Sequence, residues 1–394
     1  MMSAEYPAAA GPNGGGSHLA VEGSVLKGTT QFEPLPEVKN IMVTGGAGFI
    51  ASWVVRHLVL TYPHAYKVVS FDNLDYCSSL NNTRMLDTRK NFAFFHGDIK
   101  RSEDVVRCIK MHEIDTIMHF AAQSHVDLSF GNSYRFTSNN VYGTHVLLEC
   151  AKEMKIRRFI HVSTDEVYGE IDDQDEDPME SSLLAPTNPY AASKAAAEML
   201  VNAYWKSFKL PVITVRSNNV YGPHQFPEKV IPKFACLLQR GSPLILHGDG
   251  KHTRRYLYAS DAADAFDTVL HRGCLGQIYN VGSRDEISNL QLCSEVLRLF
   301  HLPHDTEEER AKWITHSRDR PFNDRRYAVN ATKLHQLGWE QKVSFAEGLE
   351  TTVAWYRLYG QSWWGDIRNV LVPFSYVADK KVVSEDEGVD IPCP

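Results

Sequence analysis

Residues 44–51, Thr44-Gly45-Gly46-Ala47-Gly48-Phe49-Ile50-Ala51, decide the fold of this chain. They follow a short apolar run at residues 41–43 that predicts a buried parallel strand, and they open a segment that predicts a helix. The stretch fits G-x-x-G-x-x-A counted from Gly45 and G-x-G-x-x-A counted from Gly46. Glycines let the backbone approach a pyrophosphate, whose charge is favoured at the N-terminus of the following helix. We therefore predict a dinucleotide site, with a glycine turn in a non-nucleotide α/β protein as the alternative.

A carboxylate follows the second predicted strand. Asp72 ends the apolar run at residues 68–71, where an acidic side chain accepts hydrogen bonds from the ribose 2′-hydroxyl and repels a 2′-phosphate. This favours NAD over NADP as cofactor. Other residues at the carboxyl ends of predicted strands would line the same crevice. The candidate cofactor contacts are Gly45, Gly48, Phe49, Ile50, Asp72, Asp98, Ile99, Ala121, Ala122 and Gln123.

Strand and helix patterns alternate along the first half of the chain, from Ile41 to Val215. Such repetition predicts an α/β fold, a Rossmann doubly wound parallel sheet with helices on both faces. We expect an NAD-binding domain over residues 37–215, with returns around residues 258–285, and a smaller interleaved C-terminal substrate domain over residues 216–375. Residues 1–36, rich in Ala, Gly, Pro and Ser, and residues 376–394 are predicted to be disordered tails.

Composition argues against several classes of function. The chain has 394 residues, 43% hydrophobic and 23% charged, with a formal net charge of −7. These values are typical of a globular protein and argue against a nucleic-acid binder, which carries a basic patch. The seven cysteines form no C-x-x-C pair and predict reduced intracellular thiols, and no metal site is expected. Because neither a bilayer-spanning apolar run nor a secretory leader is visible, we expect no membrane contact and a cytoplasmic location.

Tyr190 and Lys194 occupy positions i and i+4 of a segment that predicts a helix, and this spacing places both on one helix face. A nearby ammonium group lowers the pKa of a phenol, so Tyr190 is expected to act as a base near neutral pH. Tyr376 and Lys380 have the same spacing without supporting context. The interpretation of Tyr190 and Lys194 as a catalytic pair therefore depends on their position after the predicted strands.

Thr164, Asp165 and Glu166 follow an apolar run at residues 158–163 that predicts a buried strand. Open α/β sheets bind ligands at the carboxyl ends of such strands. Adjacent carboxylates push their pKa values apart, which suits an elimination that needs one group ionised and the other protonated. A helix-capping or loop pair of acids is the alternative.

These features resemble the extended branch of the short-chain dehydrogenase/reductase superfamily, which works on nucleotide sugars. Over about residues 38–357 the chain resembles the nucleotide-sugar 4,6-dehydratases, and is most like the eukaryotic UDP-glucose 4,6-dehydratases. The motifs that carry this resemblance lie at residues 45–51, 121–127, 164–169, 190 and 194, 217–223, 225–229, 319–321 and 324–327.

The resemblance implies that Thr164, Asp165, Glu166, Tyr190 and Lys194 are catalytic. In that family the tyrosine takes the proton of the sugar 4-hydroxyl while C4 gives a hydride to NAD, and the new ketone acidifies the C5 proton. Glu166 would take that proton, Asp165 would protonate the departing 6-hydroxyl, and the hydride would return to C6. Thr164 would hold the 4-oxygen, and Lys194 would bind the nicotinamide ribose. The cofactor contacts implied in addition are Tyr190, Lys194, Asn73 and Asn219.

The resemblance also implies the substrate contacts. Arg254 matches the family's diphosphate-binding arginine, whose planar guanidinium donates two hydrogen bonds at once; a solvated surface arginine is the alternative. His125 is expected to contact the sugar or the phosphates, with a satisfied core histidine as the alternative. The acidic run at residues 172–180 is expected to be a solvated flap edge. The implied substrate-binding set is His125, Thr164, Asn218, Lys229, Arg254, Asn280, Asp319 and Arg320.

Two departures from the family pattern bear on the substrate. Leu128 stands where an arginine often follows the His-Val-Asp triplet, and Val220 is present where many bacterial dTDP-glucose enzymes have no residue. The second departure and the segment at residues 225–229 favour UDP-glucose as substrate and UDP-4-keto-6-deoxyglucose as product, the first step towards UDP-rhamnose. Uracil and thymine differ by one methyl group, worth only about 1–3 kcal/mol of discrimination, so a dTDP-glucose 4,6-dehydratase is the alternative.

Two further hypotheses remain. A UDP-sugar 4-epimerase would share the fold, but such enzymes place small or apolar residues after the hydroxyl residue. A nucleotide-sensing interaction protein would keep the fold without turnover.

Family analogy also implies a homodimer formed through the helices predicted near residues 133–154 and 190–208.

Overall fold

A seven-stranded sheet forms the centre of the molecule. The computed structural model describes residues 26–373 apart from Asp173, Arg318, Arg320 and Pro321. The strands in chain order are β1 (Asn40–Thr44), β2 (Lys67–Asp72), β3 (Phe92–His96), β4 (Thr116–His119), β5 (Arg158–Thr164), β6 (Val212–Ser217), β7 (Asn219–Tyr221), β8 (Leu244–His247), β9 (Thr253–Tyr258), β10 (Ile278–Val281), β11 (Glu286–Ser288) and β12 (Ile314–Ser317).

The order of the large sheet is β10-β6-β5-β4-β1-β2-β3, and every neighbouring pair is parallel. The order reverses at β1, because β2 and β3 lie on one side of it and β4 lies on the other. Doubly wound sheets bind their ligands outside the carboxyl ends of the strands at such a point. The predicted fold class, an α/β fold with a doubly wound Rossmann-type sheet, is confirmed.

Helices cover both faces of this sheet. Ile41 and Val43 of β1 belong to one hydrophobic cluster, with the Phe49–Thr61 and Ala259–Arg272 helices, whereas Met42 belongs to a second cluster. This alternation is what a strand buried on both faces requires. The α-helices are Phe49–Thr61, Ser102–His112, Val126–Gly131, Ser133–Phe136, Gly143–Glu153, Pro189–Phe208, Val230–Gln239, Ala259–Arg272, Asn289–Leu299, Glu307–Ala311, Thr332–His335 and Phe345–Trp363, with a π-helix at Thr137–Tyr142 and 3₁₀ turns at Leu80–Asn82, Arg84–Leu86, Asp165–Tyr168 and Arg368–Val370.

The second half of the chain builds two small sheets and also returns to the large one. Strands β11, β9 and β7 form one small sheet, and β12 pairs with β8 in the other. Between them β10 pairs with β6 at the edge of the large sheet. The small sheets therefore sit beside the carboxyl ends of β5 and β6, which places their loops over the crevice.

The segment at residues 26–36 differs from the prediction of a disordered tail. Asp264 Oδ1 accepts hydrogen bonds from the backbone nitrogens of Thr29 (2.6 Å) and Thr30 (2.9 Å). Thr30 Oγ1 also donates to Asp267 Oδ2 over 2.7 Å. These hydrogen bonds to buried carboxylates offset the conformational entropy that the segment loses when it becomes ordered. Composition alone does not reveal them, which is why it predicted a disordered segment. The rest of the two predicted tails, residues 1–25 and 376–394, lies outside the described residues.

Candidate active site

A cavity of about 400 Å³ opens at the carboxyl ends of β1, β4, β5 and β6. Its floor comes from the glycine turn and the strand ends of the large sheet, and its outer wall comes from residues 225–234 and 322–327. Within the part of the chain that the structure describes, no cluster of three or more His, Cys, Asp and Glu could hold a metal ion. No helix of that part is long and apolar enough to cross a bilayer.

The glycine turn offers a site for a pyrophosphate. Gly45 has φ +71, and a Cβ there would lie 2.9 Å from the backbone of Ala121, so only glycine fits. Gly48 is the N-cap of the Phe49–Thr61 helix, and no side chain accepts from that helix end. Amide groups at an uncapped helix N-terminus bind anions. The turn therefore fits the phosphates of a dinucleotide.

Asp72 holds the turn rather than facing the cavity. Its carboxylate accepts from the backbone nitrogens of Ala47 (3.0 Å) and Leu74 (2.7 Å). Burial raises its pKa, partly offset by these two bonds. A carboxylate has further acceptor positions beyond these two bonds, so the expected contact with a ribose hydroxyl stays a prediction.

The other cofactor candidates divide into two groups. Asn73 is exposed, Asp98 accepts from the backbone nitrogen of Lys100, Ile99 is buried, and Gln123 donates to Asp75 over 2.6 Å. These four residues are not among those that line the cavity, so their contact with a cofactor stays a prediction. The candidates that do line it are Gly45, Gly48, Phe49, Ile50, Ala121, Ala122, Tyr190, Lys194 and Asn219.

Tyr190 and Lys194 both line the cavity, but their electrostatics differ from the expectation. Burial raises the pKa of Tyr190, the charge of Glu166 raises it further, and a hydrogen bond with Thr164 lowers it. Lys194 Nζ donates to the carbonyl oxygen of Val162 over 2.6 Å, and burial lowers its pKa to about 8. The structure therefore does not show the expected lowering of the Tyr190 pKa by Lys194, because burial and the charge of Glu166 raise that pKa.

The Thr164-Asp165-Glu166 stretch lies at the end of β5, and all three side chains are buried. Thr164 caps the 3₁₀ turn that follows, because its Oγ1 accepts from the Glu166 backbone nitrogen over 3.3 Å. The same Oγ1 donates to Asp165 Oδ1 over 3.1 Å. The hydroxyl therefore links the two acidic residues to the end of the strand.

The two carboxyl groups have different partners. Asp165 Oδ2 accepts from Asn218 Nδ2 over 2.6 Å, and Glu166 Oε2 accepts from Asn188 Nδ2 over 3.0 Å. Burial, and next the charge of Glu166, raises the pKa of Asp165 to about 7. Burial also raises the pKa of Glu166, while the hydrogen bond from Asn188 lowers it. Asp165 can thus hold a proton near neutral pH, and the two acids have different hydrogen-bond partners, as a general acid and a general base require.

Four candidate substrate residues besides Thr164 reach the cavity: His125, Asn218, Lys229 and Arg254. Lys229 Nζ donates to the carbonyl oxygen of Ser124 over 2.7 Å. The Arg254 guanidinium stacks over the ring of Tyr327 at 4.5 Å and donates to Asn323 Oδ1 over 3.0 Å. These cations give the outer wall a positive charge suited to a diphosphate.

Asn280 and Asp319 do not line the cavity, contrary to the expectation. Asn280 is fully buried; it accepts from the Tyr168 hydroxyl over 2.8 Å and donates to the carbonyl oxygens of Pro178 and Asn330. Asp319 accepts from Asn323 Nδ2 over 2.9 Å. Arg320 lies outside the described residues.

The acidic run at residues 172–180 is solvated in part, because Asp172, Asp175 and Glu176 are exposed, whereas its later acids are held by other side chains and backbone groups. Asp177 forms ion pairs with Arg255 (2.6 Å) and Arg326 (3.1 Å), and Glu180 accepts from the Asn280 backbone nitrogen over 2.9 Å. These contacts connect the run to β9, β10 and the segment at residue 326.

Two residues that the sequence prediction did not name hold Glu166. Asn188 is the N-cap of the Pro189–Phe208 helix: its Oδ1 accepts from the Ala191 nitrogen while its Nδ2 reaches Glu166. An Asn before a helix-starting Pro is a recognisable cap signal that could have found it. Tyr327 donates to Glu166 Oε2 over 3.5 Å and also bonds Asp324. Tyr327 is distant in sequence, so only the motif at residues 324–327 pointed to it.

Known proteins with similar sequences agree with the family resemblance found in the sequence. The family described as GDP-mannose 4,6 dehydratase matches residues 42–352. A trifunctional protein of Arabidopsis thaliana, named as a UDP-glucose 4,6-dehydratase, 3,5-epimerase and reductase, is 53% identical over 347 residues, covering 87% of this chain and 50% of that protein. The chain thus spans about half the length of such relatives. The dTDP-D-glucose 4,6-dehydratase of Homo sapiens is 48% identical over 336 residues, covering 85% of this chain and 95% of that protein.

Solved structures show the same likeness. The dTDP-glucose 4,6-dehydratase of Streptomyces venezuelae, with NAD bound, has a TM-score of 0.78 and 39% identity, covering 83% of this chain and 99% of that one. The UDP-glucose 4-epimerase of Thermus thermophilus, in complex with NAD, has a TM-score of 0.73 and 30% identity, covering 81% and 99%.

Proposed function

This chain belongs to the GDP-mannose 4,6 dehydratase family, and from that premise we propose that it is an NAD-dependent hydro-lyase that dehydrates UDP-glucose to UDP-4-keto-6-deoxyglucose. The observation that carries the proposal is the buried Asp165–Glu166 pair, with separate hydrogen-bond partners, beside Tyr190. An epimerase eliminates nothing and has no use for a second acid.

The reaction follows from what these side chains can hold. Tyr190 takes the proton of the sugar 4-hydroxyl as the C4 hydride leaves, and the resulting ketone makes the C5 proton acidic. Glu166 takes the C5 proton because its hydrogen bond from Asn188 favours the ionised form. Asp165, with a pKa of about 7, can be protonated when the 6-oxygen departs as water. Glu166 exchanges the proton that it has taken with solvent and then returns a proton to C5 as the hydride arrives at C6.

NAD supplies the hydride acceptor of this reaction and is regenerated by it. Both solved structures described above hold NAD, and the uncapped helix at Gly48 with the close approach at Gly45 suits its pyrophosphate. Lys194, which faces the same cavity from the Tyr190 helix, would bind the nicotinamide ribose.

UDP-glucose is our proposed substrate over dTDP-glucose. Support comes from Val220 within the Asn-Asn-Val-Tyr-Gly-Pro motif and from the relatives named as UDP-glucose 4,6-dehydratases, at 52% and 53% identity. The proposed product is the first intermediate towards UDP-rhamnose. The human dTDP-D-glucose enzyme, 95% of which is covered at 48% identity, keeps dTDP-glucose as the second candidate.

Product analysis by mass spectrometry in deuterated water tests the proposal. Incubation with UDP-glucose should give a product that has lost the 6-oxygen and carries solvent deuterium at C5. A product of unchanged mass with inverted C4 would establish an epimerase instead. Initial rates on UDP-glucose and dTDP-glucose decide the nucleotide, and a clear preference for dTDP-glucose would overturn that part of the proposal.

We also propose a homodimer that pairs the Pro189–Phe208 helix and the helical stretch at residues 133–153. Tyr142, Met199 and Phe208 on these elements are exposed large apolar side chains, which suits a partner surface. Light scattering should give twice the chain mass, and Met199→Glu should shift it towards the monomer.

A cytoplasmic location is proposed as well, supported by the buried free thiols of Cys108, Cys150, Cys236 and Cys293.

A further inference from the structure

Asp75, in the loop that follows β2, is bound by side chains from the other side of the crevice. Gln123 Nε2 donates to Asp75 Oδ2 over 2.6 Å, and Arg135 Nη2 donates to both carboxylate oxygens, over 2.8 Å and 2.6 Å. Gln123 lies in the loop after β4, and Arg135 lies on the short Ser133–Phe136 helix. Three separate segments of the chain therefore meet at one carboxylate.

The order of the sheet places this contact across the glycine turn. Strand β1 lies between β4 and β2, and the turn at residues 45–48 follows β1. A contact between the loop after β2 and the loop after β4 must therefore cross the end of β1. Both loops also line the cavity, the first with Cys77 and Ser78, the second with Ala122 and Ser124. A dinucleotide bound at the turn would consequently lie between the turn and the contact.

The β4 side of the contact is fixed. The backbone nitrogen of Gln123 donates to Asn140 Oδ1 over 2.8 Å, and Asn140 Nδ2 donates back to the carbonyl oxygen of Gln123 over 3.0 Å. Both residues are buried. Any opening of the contact must therefore come from movement of the loop after β2.

That loop contains a strained residue beside Asp75. Leu74 has φ +57, a left-handed conformation that is unfavourable for a bulky side chain. Leu74 and Tyr76 are both 38% exposed, so neither neighbour of Asp75 is fixed by burial. The bonds that Asp75 accepts from Gln123 and Arg135 therefore hold the loop against this strain.

The contact between Asp75 and Arg135 is ionic at neutral pH. Burial alone would raise the pKa of Asp75, but the hydrogen bonds and the charge of Arg135 hold it below its ordinary value. The side chains of Arg135 and Asp75 are 34% and 24% exposed. A bidentate charge-assisted contact is strong, yet a pair with this exposure can open because water can solvate both charges.

We propose that Asp75, Gln123 and Arg135 form a latch that closes the crevice over NAD and sets the rates at which the cofactor enters and leaves. This inference rests on the proposed function only in that NAD is the cofactor of this crevice. A cofactor that the reaction regenerates has no need to leave between turnovers, so a closed latch does not limit the rate of turnover.

A latch affects both directions of binding. It must open for entry as well as for exit and therefore slows both, whereas a residue that only stabilises bound NAD slows exit alone. Breaking the latch should raise the association and dissociation rates of NAD together and leave the Kd nearly unchanged.

Exchange of NAD by the full chain, with no sugar present, tests the latch. Release is followed by chasing radiolabelled NAD with excess unlabelled NAD, and entry by the quenching of tryptophan fluorescence after rapid mixing. Asp75→Asn removes the charge at nearly constant size, and Arg135→Met removes the donors while keeping the length of the side chain. Each substitution should speed both release and entry about tenfold, because each breaks the bidentate contact.

Arg298→Gln is the matched control. It breaks a surface pair with Glu295, and neither residue lines the cavity, so both rates should stay native. The double variant of Asp75→Asn and Arg135→Met should exchange NAD no faster than the faster single variant, because the two residues act through one contact.

Three results would overturn the latch: faster release without faster entry, native rates in both single variants, or full additivity in the double variant. Because no sugar takes part, the outcome is independent of dehydration. A chain that exchanges NAD as expected but dehydrates no nucleotide sugar would refute the proposed function and support the latch.

Discussion

The side-chain amide of Asn218 donates to Oδ2 of Asp165 over 2.6 Å, and both residues are buried. Asn218 follows β6, whereas Asp165 follows β5, so the pairing of two neighbouring parallel strands brings the amide to the acid. Asn218 is held in turn by the Ser283 nitrogen, which donates to its Oδ1 over 2.9 Å. The amide is therefore oriented before any substrate binds.

Asn218→Leu should shift the pH profile. Burial raises the pKa of Asp165 to about 7 and the bond from Asn218 lowers it, so removing the bond raises the pKa further. Because Asp165 must be protonated to donate to the departing 6-oxygen, kcat/KM should fall on the alkaline side at a pH about one unit higher than in the native chain. A limb that stays in place, or moves to lower pH, would contradict the role given to Asp165. Asn188→Leu, which removes the partner of Glu166 instead, is the matched comparison.

Glu166→Gln should separate oxidation from elimination. The amide keeps the size of the side chain but cannot take the C5 proton, so we expect transient reduction of NAD and no 4-keto-6-deoxy product. Stopped-flow absorbance and quenched product analysis measure the two events on one sample. If the variant forms product at the native rate, another group is the base.

Gly45→Ala should weaken NAD binding severely. The added methyl group would lie 2.9 Å from the Ala121 backbone at φ +71, so the turn must open where the pyrophosphate sits. Gly365→Ala is the control, because Gly365 has φ +69 with nothing within 4 Å of the new Cβ and incurs only the backbone strain of about 1 kcal/mol. Calorimetric titration with NAD should show at least a tenfold loss for the first variant and none for the second. Equal affinities would mean that the turn does not bind the cofactor.

Asp267→Asn should destabilise the fold. Burial alone would raise the pKa of Asp267, but hydrogen bonds from His271 and His57 hold it well below its usual value. Its stabilising effect is therefore present above the unfolded pKa of about 3.9 and is lost as pH falls below that. We expect a loss of about 3–5 kcal/mol of unfolding free energy at neutral pH, as for other broken buried pairs, shrinking towards pH 3.

Glu295→Gln is the control for that substitution. Glu295 pairs with Arg298 at the surface, so urea unfolding should change by less than about 0.5 kcal/mol. A similar loss in both variants would show that the buried site of Asp267 has no special role.

The sequence predicted the sheet and the floor of the cavity well, because both depend on local patterns. Apolar runs give strands, and the glycine turn, Thr164 and Tyr190 each sit at a strand or helix end where position follows from the fold. Asn280 was named as a substrate contact from the family resemblance, yet Pro178, Asn330 and Tyr168 fill its hydrogen bonds from elsewhere in the chain. Such long-range partners leave no local trace.

The electrostatics were harder to predict than the positions. The spacing of Tyr190 and Lys194 suggested mutual influence, but a pKa depends on burial and on all nearby charges. Glu166 adds its charge to Tyr190 across the cavity, and Lys194 turns to the Val162 carbonyl. Neither effect can be read from spacing along one helix.

The bonds that Thr29 and Thr30 make to Asp264 and Asp267 set a limit for anyone trimming the chain. A shortened version that starts at residue 37, where composition suggests the folded part begins, would remove hydrogen-bond donors from two buried acids on the Ala259–Arg272 helix, which packs against the Phe49–Thr61 helix. Such a protein should express poorly or melt early even though every residue of the cavity remains, whereas a start at residue 26 keeps these donors.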